Sequence, residues 1–296
     1  MEMVTLQAMA KINLGLDVLR RREDGYHEVK MVMQTVKLYD TLTLKVRKEK
    51  GIHICVGTSK LPADENNLIT KAARLLYTHY SINEGVEISL TKRIPIAAGM
   101  AGGSTDAAAT LVGMNHLFDL GCSAERLKEL GVTIGADVPY CIQGGTALSE
   151  GIGERLTPLP AAPDCYLVIA RPDIHVSTKY VYDNLHVSSL KHHPDIDAMV
   201  EAIRNRNLNG IADKMENILE NVTTKEYPVI DKLKDRMRAA GAMNALMSGS
   251  GPTVFGLFED KEKATQALEE IKKAGIAPQS FLTTFAPEAQ VIVETR

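Results

Sequence analysis

The residues best suited to chemistry lie in a few short stretches of the 296-residue chain. The most conspicuous is Pro95, Ile96, Ala97, Ala98, Gly99, Met100, Ala101, Gly102, Gly103, Ser104 and Thr105, which runs on into Asp106 and alanines 107–109. Glycines let backbone N–H groups approach a ligand with no Cβ in the way. A Ser or Thr ahead of good helix formers reads as a helix start, and helix N-termini attract anions. The pattern suits a phosphate. A glycine turn before a buried small-residue helix has the same composition, so the stretch alone leaves the two readings even. No G-x-x-x-x-G-K-[ST] occurs in the chain, and the strand–helix alternation of a dinucleotide fold is missing around the loop.

Lys11 belongs to AKINLGL (Ala10–Leu16), where period-two spacing puts Lys11 and Asn13 on one side of a strand. On its own it reads as an edge lysine. Asp137, in IGADVPY (Ile134–Tyr140), sits among apolar residues. A carboxylate there needs a hydrogen bond, a partner or a function, because an unpaired buried charge is expensive. Asp24-Gly25 is a turn signal with Tyr26 and His27 just beyond it. That pair is either a polar hairpin tip or a stacking face beside a hydrogen-bonding group. A second glycine loop, MSGSGPTVFG from Met247, carries Ser248 and Gly249.

Apolar periodicity predicts the elements that must position these groups. Strands are expected over Val4–Leu14, Lys30–Leu38, residues 41–46 and 86–90, and a helix from Pro62-Ala63-Asp64 to about Tyr80. A helix from Ser104 to about Phe118 follows the first glycine loop, and Ser123 caps another to Leu130. Gly144-Gly145 turns into a strand over Thr146–Ser149. The composition shifts at Pro158–Pro163, which divides the chain into residues 1–160 and 161–296. The second part carries strands at 166–170, 253–258 and 290–293 and a helix at Lys261–Lys273. Residues 195–240 read as helical, broken near Gly210 and Pro228, and Val176–Leu185 as a loop entering a helix. The class is α+β.

A net charge of −3 with 24% charged residues gives no electrostatic footprint for nucleic acid or an anionic membrane, so a phosphorylated ligand needs local positive charge. The four cysteines form no C-x-x-C pair, and buried reduced thiols with no metal site are expected. Neither a secretory signal nor an apolar run long enough to span a bilayer is present, and a cytoplasmic protein is expected.

AKINLGL, DGYHE, PIAAGMAGGSTDAAA, GADVPY and MSGSGPTVFG, in this order, resemble the GHMP kinase superfamily. The resemblance covers nearly the whole chain. It is strongest to the members that phosphorylate the 2-hydroxyl of 4-diphosphocytidyl-2-C-methyl-D-erythritol in non-mevalonate isoprenoid synthesis, with ATP as donor, giving the 2-phosphate and ADP. It implies an N-terminal domain like the second domain of ribosomal protein S5 and a ferredoxin-like C-terminal domain, with ATP in the cleft between them. The triphosphate would lie on residues 95–105, with Ser104 and Thr105 hydroxyls on the β-phosphate or Mg2+.

The resemblance makes Asp137 the group that takes or orients the hydroxyl proton and Lys11 the neutralising cation. Both are charged at neutral pH and would partner each other. Tyr26 and Tyr182 would stack on the cytosine, His27 would bond its edge, and Asn13 and Thr178 would meet the methylerythritol or diphosphate. Ser248 and Gly249 would face the phosphates. The implied assembly is a monomer or homodimer. Ala101 departs from the glycine common in the family, which an alanine can replace at negative φ. Related kinases of mevalonate, homoserine or sugars and a non-catalytic relative are the alternatives. Tyr26-His27 speaks against the first group, and Lys11 with Asp137 against the second.

Overall fold

The computed structural model describes residues 1–57 and 64–296. Two long strands, β1 (Met3–Arg21) and β2 (His27–Arg47), form an antiparallel hairpin whose turn holds Asp24 and Gly25. The first half continues through β3 (Ile52–Val56), α1 (Leu68–His79), β4 (Gly85–Thr91), α2 (Gly102–Leu117), α3 (Ala124–Gly131), α4 (Val138–Gln143), β5 (Thr146–Gly151) and β6 (Arg155–Pro158). The second half comprises β7 (Tyr166–Arg171), α5 (Thr178–Asp183), α6 (Ile196–Arg204), α7 (Leu208–Asp213), α8 (Glu220–Glu226), α9 (Val229–Ala239), β8 (Asn244–Met247), β9 (Val254–Phe258), α10 (Lys261–Ala274), β10 (Gln279–Thr284) and β11 (Gln290–Thr295).

The strands make two sheets. One runs β11-β1-β2-β4-β3, with β5 on the far stretch of β2 and β6 on β5. The other runs β10-β7-β9-β8, antiparallel throughout. Its strands follow one another as β, helices, β-β, helix, β, which is the ferredoxin-like order.

The helices bury the faces that the sequence provides. Gly113 lets α2 lie flat on the first sheet, since a Cβ there would sit 2.9 Å from Leu6 and 3.1 Å from Leu44. Leu6, Leu42, Leu44, Ile88 and alanines 107–109 are fully buried in that contact. On a second core, Ile12 and Leu14 of β1 cluster with Ile196 and Met199 of α6 and with Leu167 and Phe255 of the second sheet. A Cβ on Gly15 would meet Ile196 at 2.9 Å, so this strand and helix are in close contact. The two sheets thus share packing directly beside Lys11.

Several elements differ from the periodicity reading. The strands expected at 30–38 and 41–46 are one, β2, because its first part pairs β5 and its last part pairs β4. Strands β3, β6, β8 and β10 are short or polar and carry too little alternation to be read. α1 starts at Leu68, where Asn67 Oδ1 takes the Ile69 N–H at 2.9 Å; Pro62 and Ala63 lie outside the described residues. Gly210 lies inside α7 instead of breaking a helix; the break precedes it, at Arg206 with φ +51°. The last strand joins β1 instead of the second sheet, through Val4–Thr295 to Ala8–Gln290. All four cysteines are free, but only Cys141 and Cys165 are buried; Cys55 is exposed.

Candidate active site

β1, the α4 N-terminus and the first glycine loop meet where a cleft of about 970 Å3 opens between the two sheets. Lys11 is buried on β1, and its Nζ donates to Asn13 Oδ1 at 2.8 Å and approaches the Gly99 carbonyl at 3.5 Å. Asp137 Oδ2 is 4.0 Å away. The shared strand face of Lys11 and Asn13 is therefore real, but the mutual partnership expected for Lys11 and Asp137 is loose. Asn13 is the close partner, and its own Nδ2 faces Met31 Sδ at 3.1 Å. Asn13 still lines the cleft, although both ends of its amide are engaged by the protein. Asp137 precedes α4 and is about one-third exposed, so its carboxylate is available to a ligand.

The glycine loop is bent by three left-handed residues, Ala97 (φ +50°), Gly99 (φ +73°) and Ala101 (φ +55°). Ala101 contradicts the condition that alanine be tolerated at negative φ: it is left-handed, a conformation that costs an L-residue about 1–2 kcal/mol. It is the residue before α2 and caps with no side chain; its carbonyl takes the Thr105 N–H at 2.9 Å. Gly102, Gly103 and Ser104 follow with no preceding turn to accept their N–H groups, and all three line the cleft. Met100 is buried, and its carbonyl accepts from the Lys11 N–H. Ala98 is buried but contributes to the lining, as does Ala97. Pro95 and Ile96 line an adjoining 230 Å3 cavity together with Lys92 and Asp106; it shares Ala97, Gly102 and Gly103 with the main cleft.

Two hydroxyls expected at the phosphates are used elsewhere. Thr105 is fully buried, donates to the Met9 carbonyl at 2.8 Å and accepts from Gln290 Nε2 at 2.9 Å. The returning strand β11, which supplies Gln290, is what turned it inward. Ser248 is also fully buried and donates to the Gly99 carbonyl at 2.9 Å, latching the second glycine loop onto the first. The approach is so close that a Cβ on Gly99 would be 2.1 Å from the Ser248 carbonyl oxygen. Gly249 does line the cleft.

Also in the cleft lining, the His27 and Tyr182 rings lie 5.1 Å apart at 41°. Tyr26, an exposed ring, and Thr178 also line this region, and Thr178 Oγ1 is 2.8 Å from Ser250 Oγ. Partial burial, reinforced by the Arg21 charge and opposed by Asp183, lowers the His27 pKa below its ordinary 6.5 and keeps the ring neutral at pH 7. Burial raises the Tyr182 phenol, which stays protonated.

Sequence reasoning missed Ser250 and Gly251, which were visible in the same SGSG run, and Arg21, Lys179 and Asp183, which also line the cleft. It also missed a buried cluster under the loop. Lys92 pairs with Asp40 and, at 2.9 Å, with Asp106, while Asp40 Oδ1 accepts from the Ile94 N–H at 2.9 Å. Burial works against the Lys92 charge, but Asp106 and Asp40 outweigh it and raise its pKa. Asp106 is raised well above a normal carboxylate, by burial first and with Lys92 opposing. Among the described residues its Oδ1 has no partner. No group of three or more His, Cys, Asp and Glu poised to hold a metal ion is found among the described residues.

Comparison with known proteins adds to this geometry. Residues 67–145 match the family model for the GHMP kinases N terminal domain, and residues 199–277 that for GHMP kinases C terminal. The chain is 52% identical over 285 residues to 4-diphosphocytidyl-2-C-methyl-D-erythritol kinase of Lachnoclostridium phytofermentans, covering 96% of this chain and 98% of that one. It is also 52% identical over 288 residues to the enzyme of the same name from Lachnospira eligens, covering 97% and 100%. A crystal structure of 4-(cytidine 5'-diphospho)-2C-methyl-D-erythritol kinase superposes with a TM-score of 0.81 at 34% identity, over 95% of this chain and 99% of that chain.

Proposed function

The chain belongs to the GHMP kinase family, and from that premise we propose that it transfers the γ-phosphoryl group of ATP to the 2-hydroxyl of 4-diphosphocytidyl-2-C-methyl-D-erythritol. The observation that carries the reading is one cleft that holds both donor and acceptor groups. The open N–H groups at the start of α2, Lys11 with Asp137, and the His27–Tyr182 pair all line it.

Phosphoryl transfer asks for positioning and charge stabilisation, with little covalent work from the protein. Gly102, Gly103 and Ser104 offer N–H donors and the positive end of the helix dipole to the triphosphate. The adjoining cavity takes the nucleoside, since the same glycines line both spaces. Lys11, held by Asn13, offsets negative charge as the acceptor oxygen attacks. Asp137 orients the 2-hydroxyl and receives its proton. A magnesium ion carried in with ATP would find oxygen ligands in Asp137 and Ser104, a donor set that suits a hard cation. Such an ion would supply charge neutralisation at the phosphates.

The cytosine lies against Tyr26 and Tyr182, with the neutral His27 bonding its edge. Thr178 and Gly249 meet the diphosphate portion. Mevalonate and homoserine have no base for these rings to hold. Comparison of ATP-dependent ADP release with the cytidyl substrate, mevalonate and homoserine tests the reading. Turnover with the cytidyl substrate supports it, and turnover with mevalonate alone overturns it.

A further inference from the structure

The second glycine loop is held from behind by one short segment. Asn217, between α7 and α8, is 3% exposed, and its Nδ2 donates to the carbonyls of Met247 and Gly249, both at 2.8 Å. Its Oδ1 accepts from the Leu219 N–H at 3.0 Å, so every polar atom of the amide is engaged. Glu220 takes the Met247 N–H at 2.8 Å, and Thr223 reaches the Ser250 carbonyl at 3.4 Å. The backbone around Asn217 is also stitched to the catalytic strand: Leu16 N–H donates to the Glu216 carbonyl, and Ile218 N–H to the Leu16 carbonyl.

This bracket has a consequence for the cleft. In a trans peptide the C=O and N–H point to opposite sides. With the Gly249 carbonyl drawn to Asn217, the Ser250 N–H must face away from Asn217. Ser250 lines the cleft, and among the described residues neither the Gly249 nor the Ser250 N–H donates to any group of the protein. Gly249 itself is left-handed at φ +57°, which the amide bond to Asn217 holds in place.

We infer that Asn217 is a positioning residue that fixes the Gly249–Ser250 peptide so that the Ser250 N–H acts as a donor to a phosphate of the bound ligand. The inference rests on the kinase reading for the identity of that ligand, and on the hydrogen bonds alone for the geometry. Asn217 touches no ligand, and its effect runs through the loop.

The test uses amide NMR of the full chain titrated with CDP, together with steady-state kinetics of Asn217→Ala and Asn217→Asp. In the wild type, the Ser250 amide proton should move downfield as CDP binds; in both variants that movement should be lost. KM for the cytidyl substrate should rise about 10-fold, because a donor that meets a phosphate already in the ground state contributes to binding, while turnover at saturation changes less than about threefold. A role confined to stability would lower the melting temperature but leave KM and the Ser250 response of the folded molecules intact, which overturns the inference. A Ser250 amide unmoved by CDP in actively turning-over wild type overturns it too, even if neither variant folds. A wild type that phosphorylates no acceptor, yet whose Ser250 response to CDP depends on Asn217, refutes the kinase reading and leaves the positioning role standing.

Discussion

Lys11 Nζ stands 4.0 Å from Asp137 Oδ2 and 2.8 Å from Asn13 Oδ1. The lysine is therefore anchored from its own strand, and the carboxylate across from it is free to bond a hydroxyl. A tight ion pair would have used up the carboxylate that the acceptor needs.

Replacing Asp137 with Asn keeps the size and removes the proton acceptor. Turnover should fall about 10³-fold, within the range for a positioned general base, while binding of ATP without magnesium, measured by calorimetry, stays near the wild-type value. Unchanged turnover would remove Asp137 from the mechanism.

His27 gives a pH signature. Its folded pKa lies below the ordinary 6.5, mainly through burial and then through Arg21. The folded form therefore binds fewer protons than the unfolded chain, and this residue's contribution disfavours the fold as pH drops through 6.5 toward the folded value. KM for the cytidyl substrate should stay level from pH 7.5 to below 6.5 and rise only as the ring charges. Arg21→Gln should bring that rise to higher pH, and His27 ring titration by NMR follows the same shift. In His27→Ala, KM should increase more than kcat falls; the reverse pattern would deny His27 a binding role.

Ala101 carries backbone strain at φ +55°. Ala101→Gly should stabilise the protein by about 1 kcal/mol, because glycine adopts this conformation freely. The check is a urea melt, and a lower midpoint with unchanged slope would show the strain to be absent.

Lys92 is the cation between two buried carboxylates, so Lys92→Met leaves Asp40 and Asp106 facing each other. The expected loss is about 3–5 kcal/mol. Lys92→Met combined with Asp106→Asn should recover part of it, since the repulsion between the Asp106 and Asp40 carboxylates is then removed. Equal stabilities of the single and double variants would argue against the coupling.

The sequence made the positions of the site groups legible more readily than their partners. Period-two spacing put Lys11 and Asn13 on one face, and the Asp24-Gly25 turn put Tyr26 and His27 at a hairpin tip; both hold. Thr105 and Ser248 failed because a hydroxyl's direction is set by whatever packs against it. Gln290, almost two hundred residues away, claims one, and the Gly99 carbonyl claims the other. The same limit hid Asn217 and the Lys92 cluster, whose significance arises only when β2, α2 and the 217–223 segment come together. The placement of β11 was hidden for a related reason: its alternation predicts a strand, and only tertiary pairing selects β1.

The reaction is transfer of a phosphoryl group from ATP to one hydroxyl of a cytidine-bearing acceptor. The most direct measurement is 31P NMR of the product formed from ATP, magnesium and 4-diphosphocytidyl-2-C-methyl-D-erythritol. A new phosphomonoester resonance on the 2-position is expected, with the diphosphate bridge intact and one ADP formed per product. ADP formed without a new ester, or a phosphate found on another hydroxyl, would contradict it.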